Sequence, residues 1–133
     1  MKVGSFTVKM EPVAKARARV AVRNGKAHAY TPSKTVEAEE RIRWHFKQAG
    51  YEMIPAGVPI GVTILFYIKR PKSCPKSRKY PVVKPDIDNL EKLVLDALNG
   101  FAWHDDSQII AKGCNKDYDD ECSFISISWE TYE

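Results

Sequence analysis

The sequence predicts an α+β fold: one mixed or mostly antiparallel sheet with two main helices packed on it, in a single domain over residues 1–133. Three observations carry this. Strand-like alternation recurs in several short runs, two stretches have the helical period, and the two patterns interleave along the chain. At 133 residues, 44% of them hydrophobic, the chain can bury roughly two thirds of the surface its unfolded form exposes. No repeat or second domain is visible.

The opening "VGSFTVKM" has the apolar–polar beat of a short strand. In "VAVRNGKAHAY", Asn24-Gly25 separates two short runs and signals a hairpin, since both residues tolerate positive φ. Residues 35–49 place Ala38, Ile42, Phe46 and Ala49 on one stripe, with Glu37, Glu40, Arg43 and Lys47 elsewhere and Gly50 as a stop. This is an amphipathic helix, and Trp44 falls opposite its apolar stripe. Residues 58–68 alternate as a strand, with Val58, Ile60, Val62, Ile64, Phe66 and Ile68 on one face. The prolines and cations of "KRPKSCPKSRKYPVVKP" (69–85) predict a long, mobile, positive loop. A second helix is expected over 88–99, ended by Gly100. Residues 108–114 and 124–129 read as a hairpin closed by an acidic turn.

Charge is segregated although the net value is only +4. Residues 1–34 carry eight Lys or Arg and one acid, residues 69–84 carry seven and none, and residues 117–133 carry six acids and no base. Such a distribution favours a polyanion met by one face; a set of solvated loops is the plainer reading of any single run. The three cysteines, Cys74, Cys114 and Cys122, are odd in number and lack a CxxC pair. They suit reduced thiols in the cytoplasm rather than disulfides or a zinc ribbon. No apolar run approaches the roughly 20 residues of a membrane span, and no secretory signal opens the chain. A soluble cytoplasmic protein without a membrane partner is expected.

Against this basic background, "KPDIDNLEKLVLDALNGFAWHDDSQI" (84–109) gathers Asp86, Asp88, Asp105 and Asp106 around one helix. On a helical wheel Leu90, Leu93, Val94, Ala97 and Leu98 share one side and Asp88, Lys92, Asp96 and Asn99 the other, with only Leu95 breaking the division. Local structure accounts for part of this: Asp88 is a good N-cap, Glu91 completes a D-x-x-E capping box, Asp105 and Asp106 suit a turn, and Lys92 can pair with Asp88 or Asp96. Capping does not explain the repetition, because one helix needs one cap. Clustered carboxylates resist ionising together unless a cation sits among them. Hard Asp oxygens suit Mg²⁺ or Mn²⁺, and with Lys92 donating to a phosphate the set points to metal-assisted hydrolysis of nucleic acid. That geometry needs Asp105 or Asp106 to return towards the helix start across a helix some 18 Å long at about 1.5 Å per residue.

The same block resembles the D-x-D-N-x-x-K-x-x-x-D-A-L…DD-x-Q pattern of the RusA-like Holliday junction resolvases. "PVAKARARV" and "AYTPSKT" are similar to that family's basic N-terminal segment and its approach to the first helix. The resemblance implies a RusA-like homodimer that binds four-way DNA junctions and makes paired symmetric nicks with Mg²⁺, Mn²⁺ being the variant ion. It carries the catalytic and metal positions onto Asp86, Asp88 and Asp106, with Asp105 in support, and the helix lysine onto Lys92. Lys15, Arg17, Arg19, Arg23, Lys76, Arg78 and Lys79 are the expected DNA-binding residues.

The alternative from another class is a non-catalytic basic DNA-binding or architectural protein, which binds salt-sensitively and never cuts. An EF-hand fails, because it wants a ligand at Leu90 and glycine at Glu91. Pro85-Asp86 is similar to the start of PD-(D/E)xK nuclease motifs, but their lysine lies on a strand and Lys92 on the predicted helix. His104 reads as an exposed loop residue, Phe101 and Trp103 as fasteners of the loop to the core, and the acids at 117–121 as a solvated turn.

Overall fold

Strand β4 (Ile60–Lys69) is the spine of the molecule, because Ile60, Val62, Ile64 and Phe66 are all buried and both of its edges are paired. The computed structural model describes residues 1–16, 18–30 and 32–132, and of Arg19 only the backbone. The other elements are β1 (Val3–Val8), β2 (Arg19–Arg23), β3 (Lys26–Tyr30), helix α1 (Ser33–Gln48), helix α2 (Ile87–Leu98), β5 (Ile109–Asp119) and β6 (Phe124–Thr131). The main sheet has the order β1-β6-β4-β5, and β2 pairs only with β3.

The sheet is mixed: β4 and β5 run parallel, while β6 is antiparallel to both β4 and β1. The expected hairpin of 108–114 with 124–129 does not form, since β5 and β6 lie on opposite edges of β4. The reason is α2. It returns the chain between β4 and β5, as a parallel pair requires, and the turn after β5 must then step across β4 to place β6. β5 also runs on to Asp119, so Asp117 and Asp119 belong to a strand rather than a turn. Its lack of hydrophobic period fits an edge strand, where charged side chains discourage further pairing.

Both helices form as their stripes predict. Ala38, Ile42 and Phe46 of α1 and Leu90, Leu93, Val94, Ala97 and Leu98 of α2 are buried in one core with the inward residues of the sheet. Gly50 ends the first helix region at φ 81° and Gly100 the second at φ 79°. Trp129 lies across Gly4 of β1, where a Cβ would stand 2.4 Å from the indole.

The β2–β3 ribbon turns at Asn24 (φ 51°) and Gly25 (φ 74°), as the dipeptide predicts. Every described residue of β3 is exposed. Its register pairs Val20 with Ala29 and Val22 with Ala27, and Ala21 with His28 and Arg23 with Lys26. By strand alternation one face is therefore apolar and the other basic.

The 69–85 loop is not the loose segment expected. The Arg70 guanidinium donates to the Arg78 carbonyl at 2.6 Å, stacks over Tyr118 at 4.6 Å and pairs with Asp120. Two turns, Cys74 N to Pro71 O and Arg78 N to Pro75 O, fold its first half. Lys116 of β5 holds the far end, donating to the carbonyls of Val83 at 2.7 Å and Pro85 at 3.0 Å. Backbone–cation contacts of this kind leave no hydrophobic signature, and the composition alone therefore reads as mobile.

Candidate nuclease site

The approach to α2 is built from β5. Lys116 fixes the carbonyl of Pro85, and Lys112 of the same strand pairs with Glu91 in the first half of the helix. Asp86 and Asp88 are thus delivered by a helix start clamped at two points. The Glu91 hydrogen bond raises the Lys112 ammonium above its usual range. Beneath it the Cys114 thiol is pushed up to about 12, first by burial and then by Glu91, so it stays protonated. All three cysteines are free.

Asp88 is not the cap. The helix begins at Ile87, Asp86 occupies the capping position with no side-chain capping bond, and Glu91, the other half of the expected box, is engaged by Lys112. Among the described residues Asp88 Oδ1 accepts only from the N–H of Asn89 at 3.0 Å, and its side chain is exposed. The carboxylate is therefore left available, as capping would not have left it. Asp86 accepts from Lys84 through both oxygens, each 2.9 Å away. That pair is exposed and solvent-screened, hence readily exchanged.

The second carboxylate group assembles further along the helix. Trp103, wholly buried, donates from Nε1 to Asp106 Oδ1 at 2.6 Å, and Asp106 N–H donates to Asn99 Oδ1 at 3.0 Å. Burial is the main cause that raises the Asp106 pKa; the indole hydrogen bond lowers it, Asp96 and Asp105 raise it further and Lys92 lowers it. Asp106 thus feels Lys92 and Asp96 in the middle and last turns of α2. Asp105 serves the backbone instead. Its side chain caps the short turn at Asp106–Gln108, accepting from Ser107 N at 2.9 Å while Gln108 Oε1 accepts from Asp105 N at 2.9 Å. The Ser107 bond lowers its pKa, so it stays ionised as a cap. Of the adjacent pair, Asp106 is the one whose carboxylate meets Trp103 and whose ionisation Lys92 favours.

The sequence marks Asp96 only as a pairing residue, and in the fold it is the hub. Its Oδ2 lies 3.3 Å from Lys15 Nζ and 3.9 Å from Lys92 Nζ. Lys15 also reaches the buried carboxylate of Glu39 on α1 at 3.2 Å, and its backbone N–H donates to Asn89 O at 2.9 Å. The signal in the sequence is spacing: Asp88, Lys92 and Asp96 follow at i, i+4 and i+8 on one ridge. Lys15, expected among the DNA-binding residues, lies in this fold between two carboxylates, one on each helix. Arg23, Lys76, Arg78 and Lys79 are exposed. Arg17 lies outside the described residues, as does the Arg19 side chain. His104 is exposed, Trp103 is in the core, and Arg43 covers the Phe101 ring at 4.7 Å.

Among the described residues no three His, Cys, Asp or Glu side chains converge where one ion would sit. Asp86 and Asp88 stand at the helix start and Asp106 beside its later turns, so the single chain forms no closed cage. The donor chemistry nevertheless fits a hard divalent cation, which binds through one or two carboxylates and completes its shell with water and phosphate oxygens. No described helix is long and apolar enough to cross a membrane.

Comparison with known proteins agrees with this architecture. The protein YqaN of Bacillus subtilis (strain 168), described as uncharacterised, is 36% identical over 126 residues, covering 87% of this chain and 88% of that protein. The family model described as "Endodeoxyribonuclease RusA" matches residues 9–128, which include the Asp86 to Asp106 ridge and the Lys15 segment. The family is one of nucleases acting on branched DNA, with a general dependence on divalent metal. With its mixed sheet, two helices and a D-x-D-N-x-x-K ridge, the chain belongs to the RusA endodeoxyribonuclease family.

Proposed function

We propose that this protein is a Mg²⁺-dependent endodeoxyribonuclease, with Mn²⁺ as a substitute ion, that resolves four-way DNA junctions by paired symmetric nicks in recombination and repair. The observation that carries this reading is the α2 ridge: Asp88 is released from capping and shares one exposed face with Lys92, on a chain whose family is a nuclease family.

In this reading Asp86 and Asp88 would hold the cation; among the described residues the carboxylates do not converge within one chain, so Asp106 would complete the set across the dimer interface, with Asp105 supporting it through the turn. The cation supplies Lewis-acid polarisation of the phosphodiester. Lys92 donates to a phosphate oxygen and stabilises charge that develops during cleavage. Asp96, held by Lys15, keeps the Lys92 ammonium on the ridge when no phosphate is bound. Lys84, whose pair with Asp86 is exposed, would leave that carboxylate free to hold a cation. Arg17, Arg19, Arg23, Lys76, Arg78 and Lys79 hold the DNA backbone. Two nicks related by symmetry call for two such ridges about a two-fold axis, hence a homodimer, working in the cytoplasm.

A gel assay on a synthetic four-way junction, with Mg²⁺ or EDTA, tests this. Wild type should cut only with the metal, and Asp88→Asn should bind without cutting. Cutting at the wild-type rate removes Asp88 from the mechanism. Loss of binding together with cutting assigns it a folding role.

The second reading, a non-catalytic DNA-binding protein, draws on the lack of a three-carboxylate group among the described residues. It predicts salt-sensitive binding and intact strands in every metal.

A further inference from the structure

Midway along the basic loop, apolar side chains are turned outwards. Tyr80 is 65% exposed, Val82 83% and Val83 41%, while Pro81 between them is buried. A tight turn, Val82 N to Tyr80 O at 2.9 Å, throws the two flanking side chains out on either side of the anchored proline. The segment is held from both directions, by Arg70 at the Arg78 carbonyl and by Lys116 at the carbonyls of Val83 and Pro85. It is a fixed projection, and the exposed apolar surface is not the result of a segment lacking restraints.

Its surroundings define what it meets. Lys76, Arg78, Lys79 and Lys84 flank it, and no acid occurs between residues 69 and 84. Cations flanking an apolar tip would also suit an anionic lipid surface, but the chain belongs to a family that acts on DNA, which makes nucleic acid the favoured occupant. A nucleic acid matches both, because its phosphates take the cations and its bases, where unstacked, take the ring and the methyls. Intact duplex offers phosphates but no open base face. The chain also limits the distance: Val82 and Asp86 are four positions apart, at most about 14 Å of extended backbone.

We infer that Tyr80 and Val82 form an apolar wedge that enters a DNA branch point and packs on the unstacked bases, within reach of the Asp86–Asp88 end of the ridge. This rests on the branched-DNA reading above and deepens it: the cations supply affinity for any duplex, and the wedge supplies preference for open structure.

The test uses the full-length chain in EDTA and 2-aminopurine, whose fluorescence rises on unstacking, placed at the crossover of a four-way junction or inside a matched duplex. Wild type should brighten the junction probe and leave the duplex probe dark. The double variant Tyr80→Ala, Val82→Ser should lose most of that rise and about tenfold in junction affinity, with duplex affinity unchanged. Tyr80→Phe should keep the response. An undiminished signal in the double variant overturns the wedge, as does an equal loss of affinity for duplex and junction, which would mark a structural role. A wild type that brightens the probe but cuts no junction in Mg²⁺ or Mn²⁺ sinks the nuclease reading and leaves the wedge standing. One that cuts without brightening does the reverse, and failure to bind any DNA ends both.

Discussion

The indole Nε1 of Trp103 and the Oδ1 of Asp106 stand 2.6 Å apart, so a ring sealed in the core sets the position of a half-exposed carboxylate just past the end of α2. Burial raises the Asp106 pKa and the indole opposes it. Trp103→Phe keeps an aromatic ring but removes the donor. The Asp106 carboxyl should then titrate higher than in wild type, followed by NMR. A double-mutant cycle with Asp106→Ala should return a coupling of about 1 kcal/mol. Zero coupling with an unmoved titration would mean that the ring supports the turn by packing alone.

Lys15 separates the two uses of a cation. Its ammonium bridges Glu39 on α1 and Asp96 on α2, both partly or wholly shielded. Lys15→Met leaves Glu39 buried without its partner and should cost roughly 1–3 kcal/mol in urea denaturation. Glu39→Gln in the same chain should recover part of it. Its salt dependence of DNA binding should match wild type, because no phosphate contact is lost. Lys76→Met should do the opposite, with unchanged stability and a log K against log salt slope shallower by about 0.9. Reversed behaviour of the two variants would overturn this assignment.

Much of this is legible in the sequence for a physical reason. Asn24-Gly25 specifies its turn locally, and the α2 stripe carries its own period: all five residues assigned inward are buried, and Leu95, which breaks the division, packs at the margin of the core. Strand partners are not legible, because β5 and β6 are each compatible with a neighbouring hairpin and only the long-range closure over β4 excludes it. The same limit hides the meeting of Lys15, Glu39 and Asp96, which are distant in sequence, and the contact of Trp103 with Asp106, which depends on how the turn after α2 enters the core. Glu91 misleads for another reason. Its spacing from Asp88 satisfies a capping box, but Lys112 on β5 pairs with it instead.

Gly4 is required by an approach rather than by its torsions. Its missing side chain is where the Trp129 indole lies, and a Cβ would come within 2.4 Å of it. The ring cannot retreat freely, since it meets Phe6, Phe46 and Tyr51 in one aromatic group with centroids 4.9 to 5.9 Å away. Gly4→Ala should therefore destabilise by roughly 1–3 kcal/mol through overpacking. Trp129→Phe in the same chain should restore part of that loss. If Gly4→Ala melts with wild type, the indole is looser than this packing requires.

Asp119 closes the turn before β6, its Oδ2 accepting from the N–H groups of Glu121 and Cys122, each at 2.9 Å. These two donors, that of Cys122 first, hold the exposed carboxyl below its ordinary 3.8. As pH falls the unfolded chain takes up this proton before the folded one does. The stabilisation is therefore whole above pH 3.8 and disappears as pH drops through the lower folded value. Asp119→Asn offers an acceptor that does not titrate there, and every other carboxylate is common to both chains. The stability difference between wild type and variant, followed by denaturation from neutral pH into acid, should be flat above pH 3.8. Below it wild type should lose ground. A difference that stays level throughout, or moves in wild type's favour, would show that the two backbone donors do not discriminate between the charged and protonated forms. The turn would then owe its shape to the strands it joins and to the Arg70 N–H that donates to the Asp119 carbonyl at 2.9 Å.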